Sequence, residues 1–341
     1  MTRLARPIYA LLICTTQAGA SGTEVTLENF PIAETDRYMA EHSAEHAINT
    51  IRHARDPSGP DNQFVITENK DVLYSHAVVD TMGGVTITNP AWDYLSMIQI
   101  IDESHYTLDV LYAGESVTLT PDDLTTGRYL FLNMRTGLKS TDAAGLAEAH
   151  AHQDGFLIEA TSAEPYTPKG FDTESLDAVR AQLVARAGEA DKPELFFGRP
   201  EDVDPDMFLI ATAKGWGGLP YADAVYISTI VPTGAAADGV CSQMTLPRPP
   251  LKFDEGAFYS VTTYSDESWI VEENFALNDR AAEANADGSI TFRYNCPGQP
   301  NNIDVQPDWT QVIRLYQPQS AEAISEYVAM INREVSIEPG S

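Results

Sequence analysis

"VLYSHAVVDTMGGVTIT", residues 72–88, decides how the rest of the chain is read. Two short runs rich in valine, isoleucine and threonine, 72–80 and 85–88, flank Gly83-Gly84, a pair that turns tightly without steric cost. That is a strand, a turn and a strand. In the first run alternation puts Tyr74, His76 and Asp80 on one face with Val72 and Val78. Polar residues that interrupt a strand of this kind line either solvent or a concave polar face.

The same grammar continues on both sides. Strands are expected at 64–67, 94–102, 106–112, 117–120 and 128–134, separated by turn residues such as Asn89-Pro90 and Pro121-Asp122. Short strands at this spacing suggest a β-sandwich. Strands resume at 224–231, 257–265, 268–274, 289–295 and 311–318, with Asp287-Gly288 as a hairpin-type turn, and suggest a second sandwich or a jelly roll. Between the two sets, 141–155 and 172–190 are rich in Ala, Leu, Arg and Glu and read as helices, the second capped by Asp172 or Thr173. Residues 36–54 also read as a helix, with Tyr38, Met39, Ala47, Ile48 and Ile51 near helical spacing.

The first twenty residues resemble a secretory leader: Arg3 and Arg6, then an apolar run from Ile8 to Cys14, then Ala18-Gly19-Ala20 as a cleavage signal. The apolar run is too short to span a bilayer. A periplasmic or secreted location follows as an expectation. The chain carries a net charge of −29, which repels phosphate backbones and argues against nucleic-acid binding. No membrane insertion is expected. Cys241 and Cys296 remain after the leader; in an oxidising compartment they are expected to pair, closing a loop of 55 residues.

Several motifs invite chemistry. His42-Ser43-Ala44-Glu45-His46 fits H-x-x-E-H, in which two imidazoles on one helix face could hold zinc and the glutamate could act as base. A solvated helix face is the expectation, because inverzincins are large α/β proteins and this chain is rich in strands. His150 and His152 would point the same way on a strand, with Glu159 beyond them, but the local composition is helical and on a helix they diverge. No G-x-S-x-G elbow occurs, which sets aside an α/β-hydrolase mechanism. Polar residues on strands are the better candidates. Arg314 and Tyr316 share a face opposite Ile313 and Leu315, and Trp269 alternates with Ile270. Arg37 could lock its helix onto the sandwich through Asp71 or Asp80. His105 with Asp102 as partner could tune an acid or base near neutrality. We therefore nominate Tyr74, Asp102, His105 and Arg135 as catalytic candidates, and Arg37, Asp80, Trp269, Arg314 and Tyr316 as ligand-binding candidates. No cofactor and no bound metal are expected.

Seven segments fall in one order: "VTLENFPIAETDRYMA" (25–40), "DNQFVITENKDVLYSHAVVD" (61–80), "DESHYTLDVLY" (102–112), "KGWGGLPYADAVY" (214–226), "FYSVTTYSDESWIVEEN" (258–274), "NADGSITFRYN" (285–295) and "VIRLYQP" (312–318). Together they resemble the exported bacterial proteins that pair the domains of unknown function numbered 1254 and 1214. The resemblance implies an immunoglobulin-like β-sandwich followed by a C-terminal jelly roll, and brings no reaction beyond a loose esterase or hydrolase label. Where that family tends to show Asn-Cys-Leu-Pro before its last strand, this chain has "NNIDV" at 301–305. The expected fold class is all-β with helical segments. The expected layout is a signal peptide over 1–20, a helical segment over 21–60, a sandwich over 61–140, a helical linker region over 141–210 and a jelly roll over 211–341. The expected function is that of a periplasmic hydrolase-like enzyme acting on a small molecule or glycan. The alternative is a non-catalytic envelope protein that holds a carbohydrate or small ligand; oligomerisation is left open. An enzyme should place a titratable cluster in a closed pocket, and a binder should show an open aromatic cleft.

Overall fold

Strand alternation translates directly into layers. The computed structural model describes residues 22–63, 66–229, 231, 232, 234, 235 and 239–339; the leader expected over 1–20 lies outside them. The first half contains α1 (Phe30–Glu45), β1 (Arg52–His53), β2 (Val72–Asp80), β3 (Val85–Thr88), β4 (Ser96–Asp102), β5 (Thr107–Tyr112), β6 (Ser116–Leu119) and β7 (Tyr129–Gly137). Then come α2 (Ala143–Gln153), β8 (Leu157–Ala160), α3 (Thr173–Ala185) and α4 (Pro205–Gly215). The second half contains β9 (Ala224–Thr229), β10 (Ser242–Leu246), β11 (Tyr259–Tyr264), β12 (Ala276–Asn278), β13 (Ile290–Tyr294), β14 (Asn302–Ile303), β15 (Thr310–Tyr316), α5 (Ala321–Glu334) and β16 (Glu338–Pro339). The protein is mostly β-sheet with five helices among the described residues. None of these helices is long and apolar enough to cross a membrane.

In the first half a five-stranded sheet, β1-β2-β7-β4-β5, packs on a three-stranded sheet, β6-β3-β8. The core between them takes every second residue of the strands: Ala77 and Val79, Ile98 and Ile100, Leu130, Leu132 and Met134, against Val85 and Ile87. In the second half two four-stranded sheets, β14-β13-β10-β16 and β12-β11-β15-β9, enclose a core that includes Met244, Val261, Phe292, Ile313 and Leu315. The Cys241–Cys296 disulfide is formed; it lies where β10 begins and β13 ends, next to the Ser242–Tyr294 pair. A smaller apolar cluster joins the halves: Val72 and Met97 from the five-stranded sheet meet Leu219, Ala224, Phe258 and Tyr316.

Four local readings need correction. Helix α1 runs over Phe30–Glu45 rather than 36–54. Pro31 opens its first turn, where a missing N–H costs nothing, and His46 is already extended; Asn49, at φ 63°, then turns the chain into β1. Residues 268–274 form no strand. Their backbone is satisfied by turns and side chains instead: Ser268 N donates to Ser265 O, Gln63 both accepts from Ile270 N and donates to Ile270 O, and Ser265 Oγ accepts from Trp269 N. The strand expected at 64–67 is likewise not made by its described part, where Thr67 sits in a turn at φ 62°; Phe64 and Val65 lie outside the described residues. Finally, Leu157–Ala160, inside the stretch expected to be a helical linker, is β8 and pairs with β3 along its whole length.

Candidate functional site

The outer face of the five-stranded sheet is polar in its middle. Strand register places Tyr74 opposite Arg135, His76 opposite Asn133 and Val78 opposite Phe131, and Asn133 in turn lies opposite Gln99. Facing it, the outer side of β15 presents Arg314 between Tyr226 of β9 and Ser260 of β11, with Tyr316 and Tyr264 beside it. A cleft of about 2040 Å³ runs between these faces and is lined by residues of both, including Tyr74, His76, Arg135, Tyr226, Arg314 and Tyr316.

Two buried guanidinium groups line the cleft, whose wall also carries carboxylates, among them Glu41, Glu45, Glu68 and Asp266. Arg135 and Arg314 are only 4% and 3% exposed, yet among the described residues neither forms an ion pair with a carboxylate. Arg135 donates to Gln99 Oε1 at 3.0 Å and to the Gly217 carbonyl at 2.7 Å. Arg314 donates to Thr262 Oγ1 at 3.0 Å and to the Thr67 carbonyl. Burial pulls the Arg314 guanidinium down, but the phenol oxygens of Tyr264, Tyr316 and Tyr74 outweigh it, and the group is held above its ordinary value. Burial pushes the Tyr74 and Tyr316 phenols up, and Tyr264 up to about 12, so these side chains are neutral hydrogen-bonding groups around fixed cations. Asp71 feels the Arg314 cation and Asp223 the Arg135 cation, with no ion pair to either; Asp71 is bonded to Asn278 at 2.9 Å, and burial raises both carboxyls despite the cations. A buried cation bonded only to neutral oxygens has lost its water without gaining a counter-charge.

The loop Trp216-Gly217-Gly218 is pinned between the faces. Its Gly217 carbonyl takes Arg135, its Gly217 N–H donates to His105 Nε2 at 2.9 Å, and its Gly218 carbonyl takes Gln99 Nε2 at 2.7 Å. Glycine is required at both positions. Gly217 has φ 76° with Asn133 Nδ2 3.0 Å from where a Cβ would stand, and a Cβ on Gly218 would meet the Phe197 ring at 2.3 Å.

His105 and Asp102 therefore do not form the acid–base pair expected of them. His105 stacks among Trp216 and Phe208, accepts from Gly217 through Nε2 and so donates from Nδ1 to Thr212 at 2.9 Å; burial lowers its pKa to about 3. The Asp102 carboxylate caps the turn that follows it, accepting from Ser104 N, Tyr106 N and Thr125. Arg37 does not reach Asp71 or Asp80 either. It pairs with Glu34 and Glu41 on its own helix. Asp80 holds Arg128 and Ser162; burial opposes its ionisation, but these partners and the N–H groups of Met82 and Glu164 keep the carboxyl down at about 2. Trp269 is 38% exposed and does not line the cleft. Of the nominated residues, Tyr74, Arg135, Arg314 and Tyr316 meet around one space.

No family model matches the chain, and no curated protein matches it. The fold has a solved counterpart. The structure is similar to that of the VPA0106 protein from Vibrio parahaemolyticus, with a TM-score of 0.68 at 16% identity over 92% of this chain and 98% of that one. A protein from Burkholderia cenocepacia aligns over 92% of this chain and 88% of its own at a TM-score of 0.49 and 14% identity, too low to support any argument. The likeness to the Vibrio protein is one of fold.

The other end of the cleft holds histidines that the sequence had suggested for a different purpose. His42, expected on a solvated helix face, is 9% exposed, and its Nε2 is buried without a partner among the described residues. Its ring lies 4.9 Å from His46 and 6.2 Å from Phe131, while His76 lies 5.5 Å from Phe131. Among the described residues no three His, Cys, Asp or Glu side chains are grouped so as to hold a metal. On α2, His150 Nε2 donates to the Arg55 carbonyl and His152 Nε2 bonds with Ser96 Oγ, so the pair diverges. Ser75 does touch His53 at 2.8 Å, but Ser75 is fully buried and also takes Gln153, so it presents no nucleophile to the cleft.

Burial, then His46, lowers His42 to about 4; burial, then Arg52, His42 and Arg135, lowers His76 to about 3. Both are neutral at pH 7. As the pH falls below 6.5 the unfolded chain takes up protons that the folded one refuses, so stability is full above 6.5 and is lost toward pH 4. We expect a His42→Leu/His76→Gln variant to lose about 2 kcal/mol less than the wild type between pH 6.5 and 5, read by urea unfolding at each pH. Parallel curves for the two proteins would show that these imidazoles are not desolvated.

Proposed function

We propose that the cleft binds a small anionic molecule. The observation that carries this reading is the pair of buried guanidinium groups, one from each half of the chain, bonded only to neutral oxygens. Arginine presents a planar fork of donors that matches a carboxylate or phosphate. In a chain with a net charge of −29 a buried cation pair stands out against the surrounding field. Tyrosines around it offer apolar surface and hydroxyl groups, the usual make-up of a small-molecule site. The residue resemblance supports the wider frame: an exported protein of the kind that pairs domains 1254 and 1214, with an immunoglobulin-like first half and a jelly-roll second half, working in the periplasm or outside the cell. The disulfide agrees with an exported setting.

Binding is preferred to hydrolysis because burial makes His42 and His76 weak bases, the cleft's tyrosines are neutral, and among the described residues no serine or cysteine on the cleft is bonded to a histidine that could activate it. A hydrolytic role is the second reading. It draws on His76, a neutral imidazole one rung from Arg135, which could accept a proton from a water attacking a bound acid.

Titration calorimetry at low salt tests the first reading. Small carboxylates, phosphate and sulfate are screened beside their neutral amide and alcohol counterparts. At least one anion is expected to saturate one site per chain while its neutral counterpart does not. Neutral sugars binding without any anion response would reject the reading. Release of product from an ester or amide of a bound acid, absent in His76→Gln, would instead favour hydrolysis.

A further inference from the structure

Resting on the anion reading, we infer that the ligand is an elongated amphipathic carboxylate, with its head on Arg135 and Arg314 and an aromatic or apolar tail toward Phe131 and Trp216.

The floor of the cleft changes character in steps along β7. Arg135, Asn133 and Phe131 are successive outward residues of one strand. At about 3.3 Å per residue, the step from Arg135 to Phe131 covers about 13 Å. Level with them on β2 stand Tyr74, His76 and Val78. The first rung is cationic, the second neutral and polar, the third apolar. The third rung is extended by aromatic rings: Trp216 meets Phe131 edge-on at 4.9 Å and stacks on Tyr38 at 4.1 Å. Phe131, Trp216 and Tyr38 all line the cleft.

A further observation favours a long ligand over a compact ion. The cleft, at about 2040 Å³, exceeds the roughly 300–1,000 Å³ that small-molecule sites occupy, and phosphate or acetate would fill only its cationic end. On the middle rung Asn133 faces His76 and hydrogen-bonds with it, so the floor there is polar and uncharged between the cationic and the apolar ends.

The test uses the full mature chain and calorimetric titration with ω-phenylalkanoates from phenylacetate to 8-phenyloctanoate, beside acetate and the matching phenylalkanols. Affinity is expected to rise about fourfold per added methylene while new surface is buried. It should level off once the ring has reached Phe131. Phe131→Leu, which keeps a branched apolar side chain and removes the ring, should lower the preference for a phenyl over an alkyl tail between about twofold and tenfold. Acetate binding with no gain along the series overturns the elongated ligand and leaves the anion site standing. Failure of every carboxylate to bind, or alcohols binding as tightly as acids, overturns the anion reading and this inference with it.

Discussion

Replacing Arg314 by methionine is expected to weaken anion binding by at least thirtyfold while leaving the empty protein as stable as the wild type or slightly more so. The two effects have one cause. In the empty cleft Arg314 has exchanged water for Thr262 Oγ1 and the Thr67 carbonyl, neither of which carries charge. A buried charge without a partner is costly, and an apolar side chain of similar volume is often neutral or stabilising in its place. Once an anion is bound the balance reverses, because a desolvated, hydrogen-bonded ion pair typically loses about 2–5 kcal/mol when one member is removed. Calorimetry gives the affinity and urea unfolding gives the stability. Arg314→Lys separates charge from shape: it keeps the cation and loses the fork, so it should recover part of the affinity. An Arg314→Met protein that binds within threefold of the wild type would remove Arg314 from the site. One that unfolds much more easily would mean that its two neutral hydrogen bonds matter more to the fold than its desolvation.

The second large effect concerns the disulfide. Cys241 and Cys296 stand 55 residues apart, and their bond closes a loop that contains β10, β11, β12 and β13. In the chain-entropy account, removing a cross-link over a loop of that length costs about 4 kcal/mol. We expect Cys241→Ala/Cys296→Ala, and the wild type unfolded in reductant, to lose about that amount in urea titrations compared with the oxidised wild type. Equal midpoints with and without reductant would show that the bond adds nothing to the β10–β13 pairing already present.

How much of this was legible in the sequence can be argued element by element. Strands whose every second residue enters a core announced themselves: β2, β7 and β15 all alternate, and the polar members of each alternation, Tyr74, Arg135 and Arg314, are the ones that face the cleft. Alternation assigns a face to each residue but does not say which face meets which. That Tyr226 and Tyr264 join Arg314 depends on strand pairings 46 or more residues apart. The false strand at 268–274 has the right composition, yet side-chain amide and hydroxyl groups take its backbone hydrogen bonds, and composition does not record that competition. Proximity misled in the case of Asp102 and His105. Three residues apart, they seem made for each other, but at φ 70° the backbone of His105 turns its ring onto Thr212 while Asp102 caps the turn. His42 was readable as buried only once α1 was known to lie against Phe131.

One consequence concerns how the protein comes apart. Arg135 belongs to the first half of the chain and Arg314 to the second; the halves meet in the cluster around Val72, Phe258 and Tyr316 and through hydrogen bonds such as Asn69–Tyr316, Asp71–Asn278 and Tyr264 to the Glu68 carbonyl, and the cleft opens beside these contacts. A ligand held by both arginines is a strut between two bodies that each have a core of their own. Its binding energy is then also cohesion energy. Ligand should therefore raise and sharpen the melting of both halves together, because neither half can be lost without losing the contact that both of them make.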